Sequence, residues 1–107
     1  MSPKPFEIMR WESPKQPDQE FLGRMLQREG LQSESIELAA RSQTPEMKFD
    51  RIVVMVPALG QLQVSFPGYG AIELDPGDIL EINPGVLHDI IVTGSQPAII
   101  LQAFKNQ

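Results

Sequence analysis

His88 is the only imidazole in this chain, and it sets what chemistry is within reach. There is no cysteine, so thiolate nucleophiles, thiolate metal sites and disulfides are all excluded. A transition-metal centre wants several imidazole or carboxylate ligands in a fixed geometry, and His88 supplies one. Glu46 and Asp50 are the acids that could join it, and only if the strand carrying them turns them to the same side. No metal and no cofactor is therefore expected. A serine triad fails on geometry, because His88 and Asp89 are neighbours and would point to opposite faces of a strand. Gly68 and Gly70 lie in a strand–strand turn and open no helix, so they form no phosphate cradle. What remains is a neutral imidazole's capacity to donate through one nitrogen and accept through the other. His88 then either orients a ligand or is a hydrogen-bonded side chain without catalytic duty. If the chain is catalytic, His88 carries the catalysis.

The elements that must position His88 are short. Ten prolines and eight glycines divide 107 residues into small pieces. Phe6 to Trp11 reads as a first strand, with Phe6, Ile8 and Arg10 on one face. Ser13 to Pro17 is a proline-bounded linker. Phe21, Leu22, Met25 and Leu26 then fall at helical spacing, with Asp18 as N-cap and Gly30 as terminator. After Gly30 the pattern is that of strands: Ser35 to Ala40, Arg51 to Val56, Gln61 to Phe66, Ala71 to Leu74, Ile79 to Ile82, Asp89 to Thr93 and Ala98 to Phe104. Turns separate them at Pro67 to Gly70, Asp75 to Asp78, Asn83 to Gly85 and Gly94 to Pro97. Many short strands with frequent turns predict an all-β sandwich or barrel with one short N-terminal helix. One domain over residues 1–107 is expected, with strand, linker and helix in 1–34 and the barrel in 35–107. A chain of this size buries roughly two-thirds of the surface its unfolded form exposes, enough for one core.

Composition narrows the partners. Hydrophobic residues make up 41% and charged residues 21%, which argues against disorder. The net charge of −5 counts against nucleic acid, whose binding depends on cationic contacts to phosphate. No apolar run is long enough to span a bilayer, so no membrane partner is expected. The first residues lack the apolar core of a signal peptide, which sets the expectation of a cytoplasmic protein. Three runs do not alternate: Ile52 to Val56, Ile90 to Val92 and Ala98 to Leu101. Continuous apolarity means both faces are covered. One helix cannot cover all three, so a homodimer is expected to supply the rest.

The stretch Gly77-Asp78-Ile79-Leu80-Glu81-Ile82-Asn83-Pro84-Gly85-Val86-Leu87-His88, with Pro76 before it, resembles the second conserved motif of cupins. In that motif a Pro-Gly-Asp turn leads to a strand, then a Pro-Gly turn, then a histidine pointing into the barrel. The resemblance covers about three-quarters of the chain, including Arg10-Trp11, Glu29-Gly30-Leu31 and Asp50-Arg51, as in a subgroup of small bacterial cupins. It implies a double-stranded β-helix, or jelly-roll, barrel. The first cupin motif departs from the family pattern, which has two histidines one residue apart and then a carboxylate. Counting back from Gly60 puts Met47 and Phe49 at the histidines and Val53 at the carboxylate. Aligning on Asp50-Arg51 puts Pro45 and Met47 there instead. Neither register supplies an imidazole.

Three functions follow as expectations. In the first, the barrel binds a small, largely apolar ligand without metal, as a sensor or accessory protein. His88, Met47, Phe49, Met55, Val64, Phe66 and Leu80 would line the pocket, and a regulatory action would need a separate partner. In the second, the chain is an oxygenase or isomerase using His88, with or without an atypical metal. A His88–Tyr69 acid/base pair, as in sugar-epimerising cupins, is disfavoured because Tyr69 sits in a glycine-flanked turn. In the third, the same apolar residues simply fill the barrel, as in other small barrels, and the chain is an interaction protein. Trp11 is expected to pack at a sheet edge or a dimer contact.

Overall fold

A computed structural model describes residues 4–105. The element order is β1 (Phe6–Met9), α1 (Gln19–Arg28), β2 (Glu34–Leu38), β3 (Ile52–Leu59), β4 (Leu62–Phe66), β5 (Gly70–Leu74), β6 (Ile79–Ile82), β7 (Asp89–Val92) and β8 (Ala98–Lys105). Two antiparallel sheets form, ordered β1-β6-β3-β8-β2 and β5-β4-β7. Short pairings at Gln43–Ile91 and Met47–His88 carry the segment after β2 onto the free edge of β7. The result is a jelly-roll barrel with one helix outside it.

Alternation decides what faces in. On β4, Leu62, Val64 and Phe66 are buried while Gln63 and Ser65 are not. On β6, Leu80 and Ile82 are buried between the half-buried Ile79 and Glu81. Val53 and Met55 of β3 and Ile100 of β8 join them in the inner core. The continuous runs of β3 and β8 are explained by α1. Leu22 and Leu26 pack on Val54, Val56, Ala58 and Leu101, the outward residues of those strands. One helix thus covers two of the three runs. In the third, Ile90 and Val92 face inward, and Ile91 is half-buried opposite Gln43.

The helix begins and ends where its caps stand. Asp18 accepts a 2.7 Å hydrogen bond from the Phe21 N–H. At the other end Gly30 has φ +79°, and the Leu31 N–H returns to the Leu26 carbonyl at 3.0 Å, in the manner of a left-handed helix stop.

Strand ends differ from the sequence reading by more than one residue in three places. β1 stops at Met9, because Arg10 and Trp11 leave the sheet to meet Asp78. β2 stops at Leu38, before a turn in which Arg41 takes φ +57°. β3 runs through Pro57 to Leu59. Its pairing with β8 shifts register between Pro57 and Leu59, so the missing proline N–H falls at an irregularity. The Pro57 carbonyl accepts instead from Gly77 N–H at 2.9 Å.

Candidate functional site

Asp78 fixes one end of the motif strand. Its buried carboxylate accepts from Arg10 (2.8 Å), from the Trp11 backbone N–H (2.9 Å) and from the Asp75 backbone N–H (2.9 Å). Gly77 must be glycine on two counts. Its φ is +94°, and a Cβ there would sit 2.7 Å from the Trp11 ring. Trp11 is half-buried, donates its indole N–H to the Lys15 carbonyl at 2.9 Å and meets Phe21 edge-on at 6.0 Å. Its place is therefore between the linker, the helix and the Pro-Gly-Asp turn. At the other end Gly85, with φ +78°, donates its N–H to the Phe49 carbonyl at 2.8 Å.

That second turn delivers His88 to the interior, where it is fully buried. Its Nδ1 lies 3.0 Å from the Val86 carbonyl oxygen. A carbonyl only accepts, so Nδ1 carries the proton, and in the neutral ring Nε2 then presents a lone pair. Nε2 is buried and has no hydrogen-bond partner among the described residues. Around the ring are Phe49, with centroids 5.9 Å apart, and Phe66, at 6.4 Å.

Met47 lies directly across from His88. Each donates its backbone N–H to the other's carbonyl, at 2.8 and 2.9 Å. Directly opposed residues share a face, so Met47 stands on the imidazole's side of the sheet. Phe49, two residues on, touches the ring itself. Both are half-buried, whereas Pro45, Glu46, Lys48 and Asp50 are exposed. Val53 is buried in the apolar core.

The other residues expected to line a pocket are Met55, Val64, Phe66 and Leu80. All four are buried and belong to one packed cluster inside the barrel. Phe49 lines a depression open to solvent, about 440 Å³ in volume, with Lys48, Asp50 and Gly85. Tyr69 is exposed and packs edge-on against Phe6 at 5.2 Å, while Phe6 stacks on Phe66 at 4.6 Å. Asp89 points away from the imidazole's side and accepts from the Gln43 side-chain amide at 2.9 Å.

Two site residues escaped the sequence reading. Phe104 meets Phe49 at 5.1 Å, and the Arg51 guanidinium sits 4.5 Å over the Phe104 ring. Strict alternation along β8 would have placed Phe104 on the inner face with Ile100.

The described residues do not fit a metal. No three histidine, cysteine, aspartate or glutamate side chains among them are grouped to hold one. The rings of Phe49 and Phe66 beside the imidazole supply no ligand lone pairs.

No family sequence model matches the chain, and no curated protein matches it. Solved structures do. A cupin 2 domain-containing protein from Halorhodospira halophila is similar at TM-score 0.69 and 16% identity, over 96% of this chain and 79% of that one. A cupin-2 domain containing protein from Shewanella frigidimarina is similar at TM-score 0.56 and 21% identity, over 66% of this chain and 68% of that one. Drosophila melanogaster CENP-C, in a structure bound to CAL1, is similar at TM-score 0.58 and 12% identity, over 66% and 62%. The chain thus spans about three-fifths to four-fifths of the length of these neighbours. Its fold is that of a small cupin. Identities this low carry the fold and nothing of the function. No helix among the described residues is long and apolar enough to cross a membrane.

Proposed function

We propose that this chain is a metal-free cupin-fold binding module that takes a small, largely apolar ligand bearing one hydrogen-bond donor. The supporting observation is the His88 Nε2 lone pair, which is fully buried, aromatic-walled and without a partner among the described residues. A buried acceptor left unsatisfied costs about 1–3 kcal/mol. A ligand hydroxyl or N–H donated to Nε2 would recover that cost, and Phe49, Phe66 and Met47 would surround its apolar part. A sensor or accessory role suits such a site better than catalysis. The imidazole has no acid, base or nucleophile hydrogen-bonded to Nε2 among the described residues. The test is the ¹⁵N resonance of Nε2, unique in a chain with one histidine. During titration with small phenols it is expected to move upfield, as an acceptor does on gaining a donor. An unmoved resonance with every ligand that binds overturns the reading.

A second reading rests on the packing of Met55, Val64, Phe66 and Leu80, which fill the middle of the barrel. In it the chain is an interaction protein, and the CENP-C structure bound to CAL1 illustrates such a use of this fold. Pairing of two copies is compatible with both readings. Met9, on the edge strand β1, is largely exposed opposite the half-buried Ile79. Light scattering is expected to report a dimer, and a monomer overturns the pairing.

A further inference from the structure

We infer that the ligand is a carboxylate whose anionic end is received by Arg51 at the rim of the barrel, above the apolar walls that lead to His88. The inference rests on the reading of His88 given above and adds the chemical class of the ligand.

Arg51 stands two residues before Val53 and four before Met55, both of which face the interior. Strand periodicity therefore puts Arg51 on the inner side of the sheet, at its end. The contact with Phe104 agrees, since Phe104 packs against the inner core. From rim to floor the contacts run without a break. The guanidinium lies over Phe104, Phe104 meets Phe49, and Phe49 meets the imidazole.

Arg51 forms no salt bridge among the described residues, where the ion pairs are Arg10–Asp78, Arg24–Glu20 and Lys105–Glu81. Lys48 and Asp50 both line the depression beside Phe49, and their charges offset each other. Arg51, next along the chain and over the Phe104 ring, has no ion pair among the described residues. The whole chain carries −5, so a preference for anions cannot come from its overall field. It has to come from this local group. A guanidinium stacked on an aromatic face keeps its planar fork free for bidentate pairing with a carboxylate. The open depression lined by Lys48, Phe49, Asp50 and Gly85 shares Phe49 with this row of aromatic contacts.

Three probes separate the two ends. 4-Hydroxyphenylacetate carries both the carboxylate and the donor. Its methyl ester keeps the donor and loses the charge. Phenylacetate keeps the charge and loses the donor. Affinities are measured by calorimetry on the full chain and on Arg51→Gln and Arg51→Lys, with thermal unfolding as the check on folding. The acid is expected to bind about tenfold tighter than the ester, as a charge-assisted pair would give. Arg51→Gln should bring the acid down to the ester and leave the ester unchanged. Arg51→Lys should keep part of the preference. Equal binding of acid and ester, or equal loss of both in Arg51→Gln, overturns the carboxylate inference and leaves His88 as the donor's acceptor. Equal binding of phenylacetate and 4-hydroxyphenylacetate, with Nε2 unmoved, overturns the His88 reading and leaves Arg51 as an anion site. If none of the probes binds, both are overturned.

Discussion

Trp11 and Asp78, 67 residues apart in sequence, are joined by a 2.9 Å hydrogen bond from the Trp11 backbone N–H to Asp78 Oδ1. The same carboxylate holds Arg10 and closes its own turn through Asp75. This ties the N-terminal strand, the linker and the motif strand to one buried group. The Pro-Gly-Asp turn therefore does more than reverse the chain, since it anchors the edge strand β1 beside β6.

Asp78→Ala should destabilise the protein by about 2–4 kcal/mol, because three donors lose their acceptor in a buried place. Arg10→Ala should cost about 1 kcal/mol or less, since half of the Arg10 side chain is in water. Urea unfolding of the two variants measures both. If they cost the same, the arginine and not the two backbone N–H groups carries the anchor.

Gly77→Ala combines two penalties, a φ of +94° that L-residues rarely adopt and a contact with the Trp11 ring. A loss of about 2–3 kcal/mol is expected. Trp11→Ala in the same chain relieves only the contact. The double variant should therefore lose less than the sum of the singles. Strict additivity would show that the Trp11 ring is not what excludes a side chain at position 77, leaving the backbone conformation and the nearby Pro17 ring.

Much of this fold was legible before any coordinates. Asp18 and Gly30 bracket the helix, and the turn residues of 75–78 and 83–85 mark the motif strand, because caps and turns are local chemistry. Pro57 misled because a proline reads as the end of a strand unless the partner's register is known. The cover on β3 and β8 could be expected from the sequence but not assigned to an element. Apolar residues on both faces reveal that something covers them, but only the packing of Leu22 and Leu26 shows that α1 does. At the site, His88 was readable from its motif. Met47, which pairs with His88, belongs to both registers of the first motif, and Phe49, in contact with the imidazole, belongs to one of them. Phe104 and Arg51 were missed because they come together only when β3 and β8 pair, with Val53 opposite Phe104.

Leu22→Ala tests the role of the helix. The residue is fully buried between α1 and the outer face of the large sheet. The expected cost is about 2–5 kcal/mol, typical of a truncated core leucine. Phe21→Ala, one position away and partly exposed, should cost clearly less. Equal losses measured by chemical denaturation would mean that the Trp11–Phe21 contact, and not the cover on the sheet, holds the helix in place.

His88→Phe tests the free lone pair directly. The substitution forfeits the bond from Nδ1 to the Val86 carbonyl, worth about 1 kcal/mol, and removes an unsatisfied buried acceptor that costs about 1–3 kcal/mol. The two changes oppose each other, so stability should stay within about 1 kcal/mol of the original or rise. The aromatic walls of Phe49 and Phe66 can accommodate a ring of this kind. A tightly bound metal at Nε2 would reverse the result, because its loss would cost several kcal/mol. Plasma mass spectrometry on protein expressed with mixed transition metals and purified without chelator supplies the independent check. Metal-free protein together with a near-neutral His88→Phe supports an acceptor waiting for a donor. Stoichiometric metal together with a strongly destabilised variant would mean that Nε2 is a ligand, and the enzyme reading would then take the place of the binding module.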